Sequence, residues 1–160
     1  NTYMRFPPPG TDAFGGRAGI RDAGGVEVRE VDIRLIGIDA PDVNQTCRLD
    51  GVEYPCGVIA RAYAIGLTAG KELFCSLQEV EMDDRRWGLC SDAMPGARAA
   101  IRDDAITINE LMVRAGWAVA KPLGNIDYSE SERAARAEGL GLWAGEFVGP
   151  TAWRLGKRLP

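Results

Sequence analysis

Apolar and polar positions alternate over residues 26–31, where Val26, Val28 and Val31 stand among Glu27, Arg29 and Glu30. That period of two predicts a half-exposed strand. Residues 32–38 are more apolar and predict a second, more buried strand. It ends at Asp39-Ala-Pro-Asp42, because Pro41 cannot donate to a ladder. Residues 57–69 carry Val58, Ile59, Ala62, Ile65 and Ala69 at helical spacing, with Gly70 as the stop. Residues 72–80 read as a strand, followed by a turn near Asp83-Asp84 and a return strand from Trp87 to Cys90. Met94-Pro-Gly96 predicts another turn, and a surface loop runs on to Asp104. Ile108, Leu111, Met112 and Ala115 form the apolar face of a short helix that ends at Gly116, and residues 117–120 return as a strand. Residues 129–138 form a third helix, closed by Gly139, and Trp143, Phe147 and Trp153 anchor the tail. Residues 1–25 are rich in Pro and Gly and predict an arm with little regular structure. The expected organisation is an arm over 1–21 and one folded domain over 22–160. Strands, helix, hairpin, helix, strand and helix in this order suit a small barrel crossed by about three helices, mainly β with α.

Composition narrows the chemistry. The 160 residues suit one domain, and 46% hydrophobic with 26% charged residues describes an ordinary globular chain. No apolar run is long enough to span a membrane. The net charge of −4, from 19 basic and 23 acidic side chains, argues against a uniformly basic nucleic-acid binder and leaves room for a local basic patch. There is no histidine, which excludes every imidazole base, nucleophile or metal ligand. Cys47, Cys56, Cys75 and Cys90 are even in number and scattered in spacing, which suits two disulfides in an oxidising compartment. A four-thiolate zinc site and four reduced buried thiols are the alternatives. The disulfides make the expected setting secreted or periplasmic. A start at Asn1 rather than Met makes the absence of a signal peptide uninformative, a leader or anchor having been removed in this expectation.

Several segments resemble the staphylococcal-nuclease-like (thermonuclease) family. Ile33-Arg-Leu-Ile-Gly-Ile-Asp-Ala-Pro-Asp42 is similar to its signature strand, an Arg, four mostly apolar residues, Asp, a small residue, Pro and Glu. Leu111-Met-Val-Arg-Ala-Gly-Trp-Ala118 is similar to its LV-x-x-GWA helix and strand. Tyr128, Glu132, Ala135 and Gly141-Leu-Trp143 are similar to its closing helix. The likeness runs over roughly residues 22–143, and several motifs in order make it specific. It implies an OB-fold five-stranded β-barrel with helices. It also implies hydrolysis of phosphodiester bonds in DNA or RNA by an endonuclease that uses a Glu, two Arg side chains and one calcium ion.

The roles carry over unevenly. Arg34 matches the first catalytic Arg. Asp42 stands at the catalytic Glu, one methylene shorter, and a misplacement of about 1 Å costs on the order of a hundredfold in rate. Related cysteine-containing sequences space a Cys, an Arg and a second Cys as Cys75, Arg85 and Cys90 are spaced, which makes Arg85 the second Arg. Arg86 is its reserve, and alignment on Gly88-Leu89 instead puts Trp87 at that position. On the calcium side the resemblance implies Asp39, the backbone carbonyl of Ala40 and, more distantly, Asp22, whereas Gly24 falls where the family has its other metal Asp. Calcium prefers six to eight hard oxygens, so weak binding is expected, with Gly24→Asp plus Asp42→Glu expected to strengthen it. Lys121 stands where relatives often carry Tyr and can meet a phosphate as a point charge.

The expected disulfides are Cys47–Cys56, clipping the loop after the signature strand to the first helix, and Cys75–Cys90, tying the arms of the hairpin. Two functions follow from the resemblance. One is a calcium-dependent nuclease of low activity on DNA or RNA. The other is a catalytically impaired monomeric module that binds nucleic acid, another polyanion or a protein partner. Some bacterial relatives are also associated with exopolysaccharide production. The bland account of the charges is a structural ion pair between Arg34 and Asp39 or Asp42.

Overall fold

The computed structural model describes residues 14–80, 83–92 and 106–160. Five strands close into a barrel in the order β1 (Phe14–Gly19), β2 (Gly25–Val28), β3 (Val31–Leu35), β8 (Arg86–Ser91) and β7 (Glu72–Gln78). β3 and β8 run parallel, the other neighbours antiparallel, and β1 against β7 completes the closure. Two small sheets lie outside the barrel: β4 (Ile38–Asp39) with β9 (Val119–Ala120), and the hairpin of β5 (Cys47–Leu49) with β6 (Val52–Tyr54). The helices are α1 (Cys56–Thr68), α2 (Ile108–Arg114), α3 (Ser129–Glu138) and α4 (Pro150–Arg154), with a 3-10 turn at Gly141–Ala144. This is the OB-fold-like barrel with helices that the resemblance implied.

Several local expectations change. Residues 14–19, placed in the arm, are a barrel strand, and residues 1–13 lie outside the described part of the chain. Residues 26–31 are not one strand. Arg29 and Glu30 take φ of 51° and 66° and turn the chain between β2 and β3, pairing Val28 with Val31. Two central residues with positive φ twist as the flanking strands do, which is the favoured two-residue hairpin. The strand expected over 32–38 breaks after Leu35 and resumes at Ile38, and of residues 117–120 only 119–120 are strand. The turn at Met94-Pro-Gly96 and the loop to Asp104 fall outside the described residues.

Ile33 and Leu35 point into the barrel, 0% and 2% exposed, with Val28, Leu73 and Leu77 beside them. α2 caps one end with Ile108, Met112 and Val113. Thr107 accepts a hydrogen bond from Glu110 N (3.0 Å), which starts that helix. Asn109, fully buried, then ties the turn after β3 to β8: its amide nitrogen donates to Ile36 O (2.8 Å) and Gly88 O (3.0 Å), and its oxygen accepts from Cys90 N (3.1 Å). Both expected disulfides are present, Cys47–Cys56 and Cys75–Cys90, the second between residues directly paired across β7 and β8. Among the described residues no helix is long and apolar enough to cross a membrane.

The apolar positions expected to form the packed face of α1, Val58, Ile59, Ala62, Ile65 and Ala69, lie exposed. The helix instead buries a stripe of small residues, Gly57, Ala60 and Ala64, three or four apart along the other face, because these allow the closest approach to the barrel. The smallest matters most. A Cβ on residue 57 would lie 1.8 Å from the Asp42 carbonyl oxygen. Only glycine lets the helix start press against the loop that carries Asp42, which links α1 to the site below.

Candidate functional site

Arg34 leaves the barrel wall between Ile33 and Leu35, so its side chain takes the opposite face, 27% exposed. Across the sheet it stands opposite Gly25 on one side and Trp87 on the other. The bare edge at Gly24 and Gly25 gives the guanidinium its path. Cβ atoms there would lie 2.6 Å from Nη2 and 2.5 Å from Nη1. Arg34 crosses this gap to Asp22 and bonds both carboxylate oxygens, Nη1 to Oδ2 at 3.1 Å and Nη2 to Oδ1 at 3.0 Å. A fork-to-fork pair of this kind fixes the guanidinium plane as well as its place. Asp22 Oδ1 also accepts from Gly24 N (2.8 Å).

The turn before β8 supplies Arg85. Asp83 receives Arg85 N (2.9 Å), Arg85 Nε (3.0 Å) and the Trp87 indole N–H (2.9 Å), and Arg85 lies 5.0 Å over the Trp87 ring. The Trp87 hydrogen bond is the largest cause holding the Asp83 carboxyl below its ordinary value, followed by the contacts from Arg85. β4 delivers Asp39, and pairing of Asp39 with Val119 brings β9 alongside, with Lys121 N bonded to Gly37 O (2.8 Å).

These side chains meet. Arg34, Asp39, Ala40, Asp42, Arg85, Trp87, Lys121 and Asp22 line one hollow of about 200 Å³. Arg86 lies outside it and lines a larger neighbouring hollow of about 500 Å³, shared with Asp22, Arg34 and Arg85. The cysteine spacing and the Gly88-Leu89 alignment thus each describe part of the site: Trp87 holds the strand position beside Arg34, and Arg85 reaches the same hollow from the turn.

The hollow also contains Arg154, which sequence reasoning missed. Its Nη1 donates to Asp42 Oδ1 (3.0 Å) and to the Ala40 carbonyl (3.3 Å), and its Nη2 donates to Asp39 Oδ1 and to Thr151 Oγ1 (3.3 Å). Thr151 adds two bonds to Asp39 Oδ2, from N (2.9 Å) and Oγ1 (2.7 Å). Desolvation is the largest single influence on Arg154 and lowers its pKa. The combined hydrogen bonds and charges of Asp39 and Asp42 outweigh it and raise the value above the ordinary one. Arg154 is therefore a fixed cation. The ion pairing of the site differs from the simple expectation: Arg34 pairs with Asp22, while Asp39 and Asp42 pair with Arg154.

This arrangement does not fit a calcium ion. The oxygens that a metal would draw on, from Asp39, Asp42 and the Ala40 carbonyl, already receive Arg154. Asp22 is engaged by Arg34, and no cluster of three or more metal-binding side chains occurs among the described residues. An Asp at position 24 would meet Arg34 Nη2 before it met any metal. The only sequence signal for α4 is Gly149-Pro150, since Pro suits the first helical position. Nothing in it tells where the helix docks.

A closed five-stranded barrel with four basic and three acidic side chains focused on one flank defines an OB-fold-like domain of the nuclease type. The chain belongs to the staphylococcal nuclease homologue family, whose sequence profile matches residues 32–145. It is similar to the succinoglycan biosynthesis protein ExoI of Rhizobium meliloti (strain 1021), at 27% identity over 146 residues, covering 89% of this chain and 71% of that one.

Proposed function

We propose that this chain is a nuclease-like protein of an oxidising, extracytoplasmic compartment, and that its cleft takes the phosphodiester backbone of DNA or RNA and hydrolyses it slowly. One observation carries the reading: Arg34, Arg85, Lys121, Asp39 and Asp42, drawn from separate elements, line one hollow. Arg34 and Arg85 suit the phosphate, because a guanidinium fork grips two oxygens and stays charged. Asp42 is the group placed to take a proton from an attacking water, with one of its oxygens held by Arg154. Its short side chain and that contact account for a slow reaction. The two buried disulfides support a compartment outside the reducing cytosol.

A second reading, binding without hydrolysis, is favoured by the engagement of both Asp39 and Asp42 with Arg154. The name of the relative from Rhizobium meliloti, a succinoglycan biosynthesis protein, adds succinoglycan to the ligands to be probed. Cleavage of plasmid and single-stranded DNA, in chelator and in calcium, beside the Arg34→Ala variant, separates the readings. Slow nicking lost in Arg34→Ala supports the nuclease. Oligonucleotide binding without nicking supports the module. Neither binding nor nicking at low salt overturns both.

A further inference from the structure

The residues that a metal would need are held by a side chain of the protein itself. Arg154 places one nitrogen on Asp42 and the Ala40 carbonyl and the other on Asp39, so a single planar group reaches all three oxygens. Asp39 is 11% exposed and spends its second oxygen on Thr151, which leaves it no free edge for an incoming ion. An entering divalent cation must displace Arg154 first, and the displaced guanidinium would then lie beside the ion as a like charge.

The docking of Arg154 is built in. The segment that carries it is tied to β5 by mutual backbone hydrogen bonds between Arg48 and Glu146 (2.9 and 2.8 Å) and to the buried Gln45, whose amide donates to Val148 O (2.7 Å). Arg158 stacks 3.4 Å over Trp153 just beyond. Residue 154 lies outside the stretch of 32–145 matched by the family profile.

We propose that Arg154 is the resident cation of the cleft, occupying the oxygens of Asp39, Ala40 and Asp42 in place of a divalent ion, so that the cleft engages an anionic ligand without metal. The proposal rests on the phosphodiester reading for its ligand and on the salt-bridge geometry for the exclusion of metal. The positive charge facing the ligand then comes from Arg34, Arg85, Lys121 and Arg154, all of which line the hollow.

The test titrates calcium into the wild-type chain and into Arg154→Gln by calorimetry, and a fluorescent single-stranded oligonucleotide into both, in chelator and in calcium. The wild type is expected to give no calcium heat and equal oligonucleotide affinity in both buffers. Arg154→Gln is expected to gain calcium binding at least tenfold, into the range of about 10⁻⁴ to 10⁻³ M typical of weak sites. It is also expected to bind the oligonucleotide several-fold more weakly in chelator, with calcium restoring part of the loss. Arg154→Lys keeps the charge but not the fork and is expected to fall between the two. A wild-type chain that binds calcium in or below the millimolar range overturns the proposal, and that result needs no variant to fold. A gain of calcium with no oligonucleotide bound by either protein sinks the phosphodiester reading and leaves the resident cation standing. Oligonucleotide binding with calcium affinity unchanged by the substitution does the reverse.

Discussion

At the scale of single residues, the site depends on side chains that are absent as much as on those present. Arg34 reaches Asp22 only because residue 25 has no Cβ, and a methyl there would meet Nη1 at 2.5 Å, Cζ at 3.0 Å and the Ile33 carbonyl at 3.1 Å. Gly25→Ala is expected to push the guanidinium off its fork and to weaken oligonucleotide binding about tenfold, the worth of a charge-assisted contact. The same change should cost about 1 kcal/mol of stability, at the low end of overpacking because the arginine tip can move. Anisotropy titration and thermal melting check the two halves, and an unchanged affinity would mean that Arg34 does not touch the ligand. Asn109 is the opposite case, a buried amide whose two N–H donors and oxygen are all engaged. Asn109→Ala leaves Cys90 N without its partner and loosens the turn that delivers Asp39. The expected loss is about 3 kcal/mol in urea unfolding, since each stranded buried group costs about 1–3 kcal/mol. In the sequence Asn109 is one polar residue in a helix start, and nothing local marks it. Arg34, Asp39 and Asp42 were legible because they sit in one motif. Arg154 was not, because its partners are 112 to 115 positions away and its own surroundings carry no pattern.

At the scale of elements, the periodic segments were readable and the tight ones were not. The first helix, the third helix and the β7–β8 hairpin fall close to their expected spans. The apolar positions that predicted the first helix, Val58, Ile59, Ala62, Ile65 and Ala69, nevertheless lie exposed, and its buried face is the small-residue one. β1 was read as arm because Gly15 and Gly16 have poor strand propensity, and partners on both sides, β2 and β7, override it. The β2–β3 turn was missed because Arg29-Glu30 lacks the Asn or Gly that usually marks positive φ. Cys75–Cys90 joins two expected strands, whereas Cys47–Cys56 joins the expected first helix to β5, which lies in a stretch read as a loop. Cys75–Cys90 closes a separation of 15 residues and is expected to contribute about 3 kcal/mol through the unfolded chain, with Cys47–Cys56, at 9, slightly less. Replacing either pair by alanines should lower the melting temperature by about 6–12 °C for a chain of this size. The Cys47–Cys56 change should in addition weaken the dependence of ligand binding on Arg154, because that bridge secures the β5–β6 hairpin on which the segment before α4 rests. Melts of the two double variants, with binding measured beside them, check both statements.

For the whole molecule, the absence of histidine has a direct consequence for pH. Asp83 and Asp127 lie below the ordinary 3.8, Asp83 through the Trp87 indole first and Asp127 through the Ser129 hydroxyl first. A depressed carboxyl contributes stability that is present above its unfolded value and lost as pH falls through its folded one. The acid limb therefore begins below 3.8. Tyr128 and Tyr54 are held above the ordinary 10.0 mainly by burial. A raised group keeps its contribution below the unfolded value and loses it as pH rises through the folded one, so the alkaline limb begins above 10.0. Between these limits no histidine titrates, and stability is expected to be nearly flat. Unfolding measured across this range checks the plateau, and Tyr128→Phe should shrink the alkaline drop. A step near neutral pH would show that some other ionisation controls the fold. Charge is distributed just as unevenly in space. The larger hollow mixes Arg21, Arg85 and Arg86 with Glu27, Glu30, Asp32 and Asp84, so of the two it is the small hollow that offers an anion a cationic surplus. That is how a chain of net charge −4 keeps a local cationic surplus.

The long reach from Asp39 to Arg154 also sets an order in time. The ribosome makes Asp39 and Asp42 first, and Arg154 follows Asp39 by 115 positions. The nascent chain can close its barrel once β8 has emerged at Ser91, and at that stage its two carboxylates are still uncovered. The unfinished molecule is thus the acidic form, and the guanidinium closes it only when α4 arrives. A cut at Gly149, exposed between the buried Val148 and Pro150, would return a mature molecule to that earlier form with both disulfides still in place.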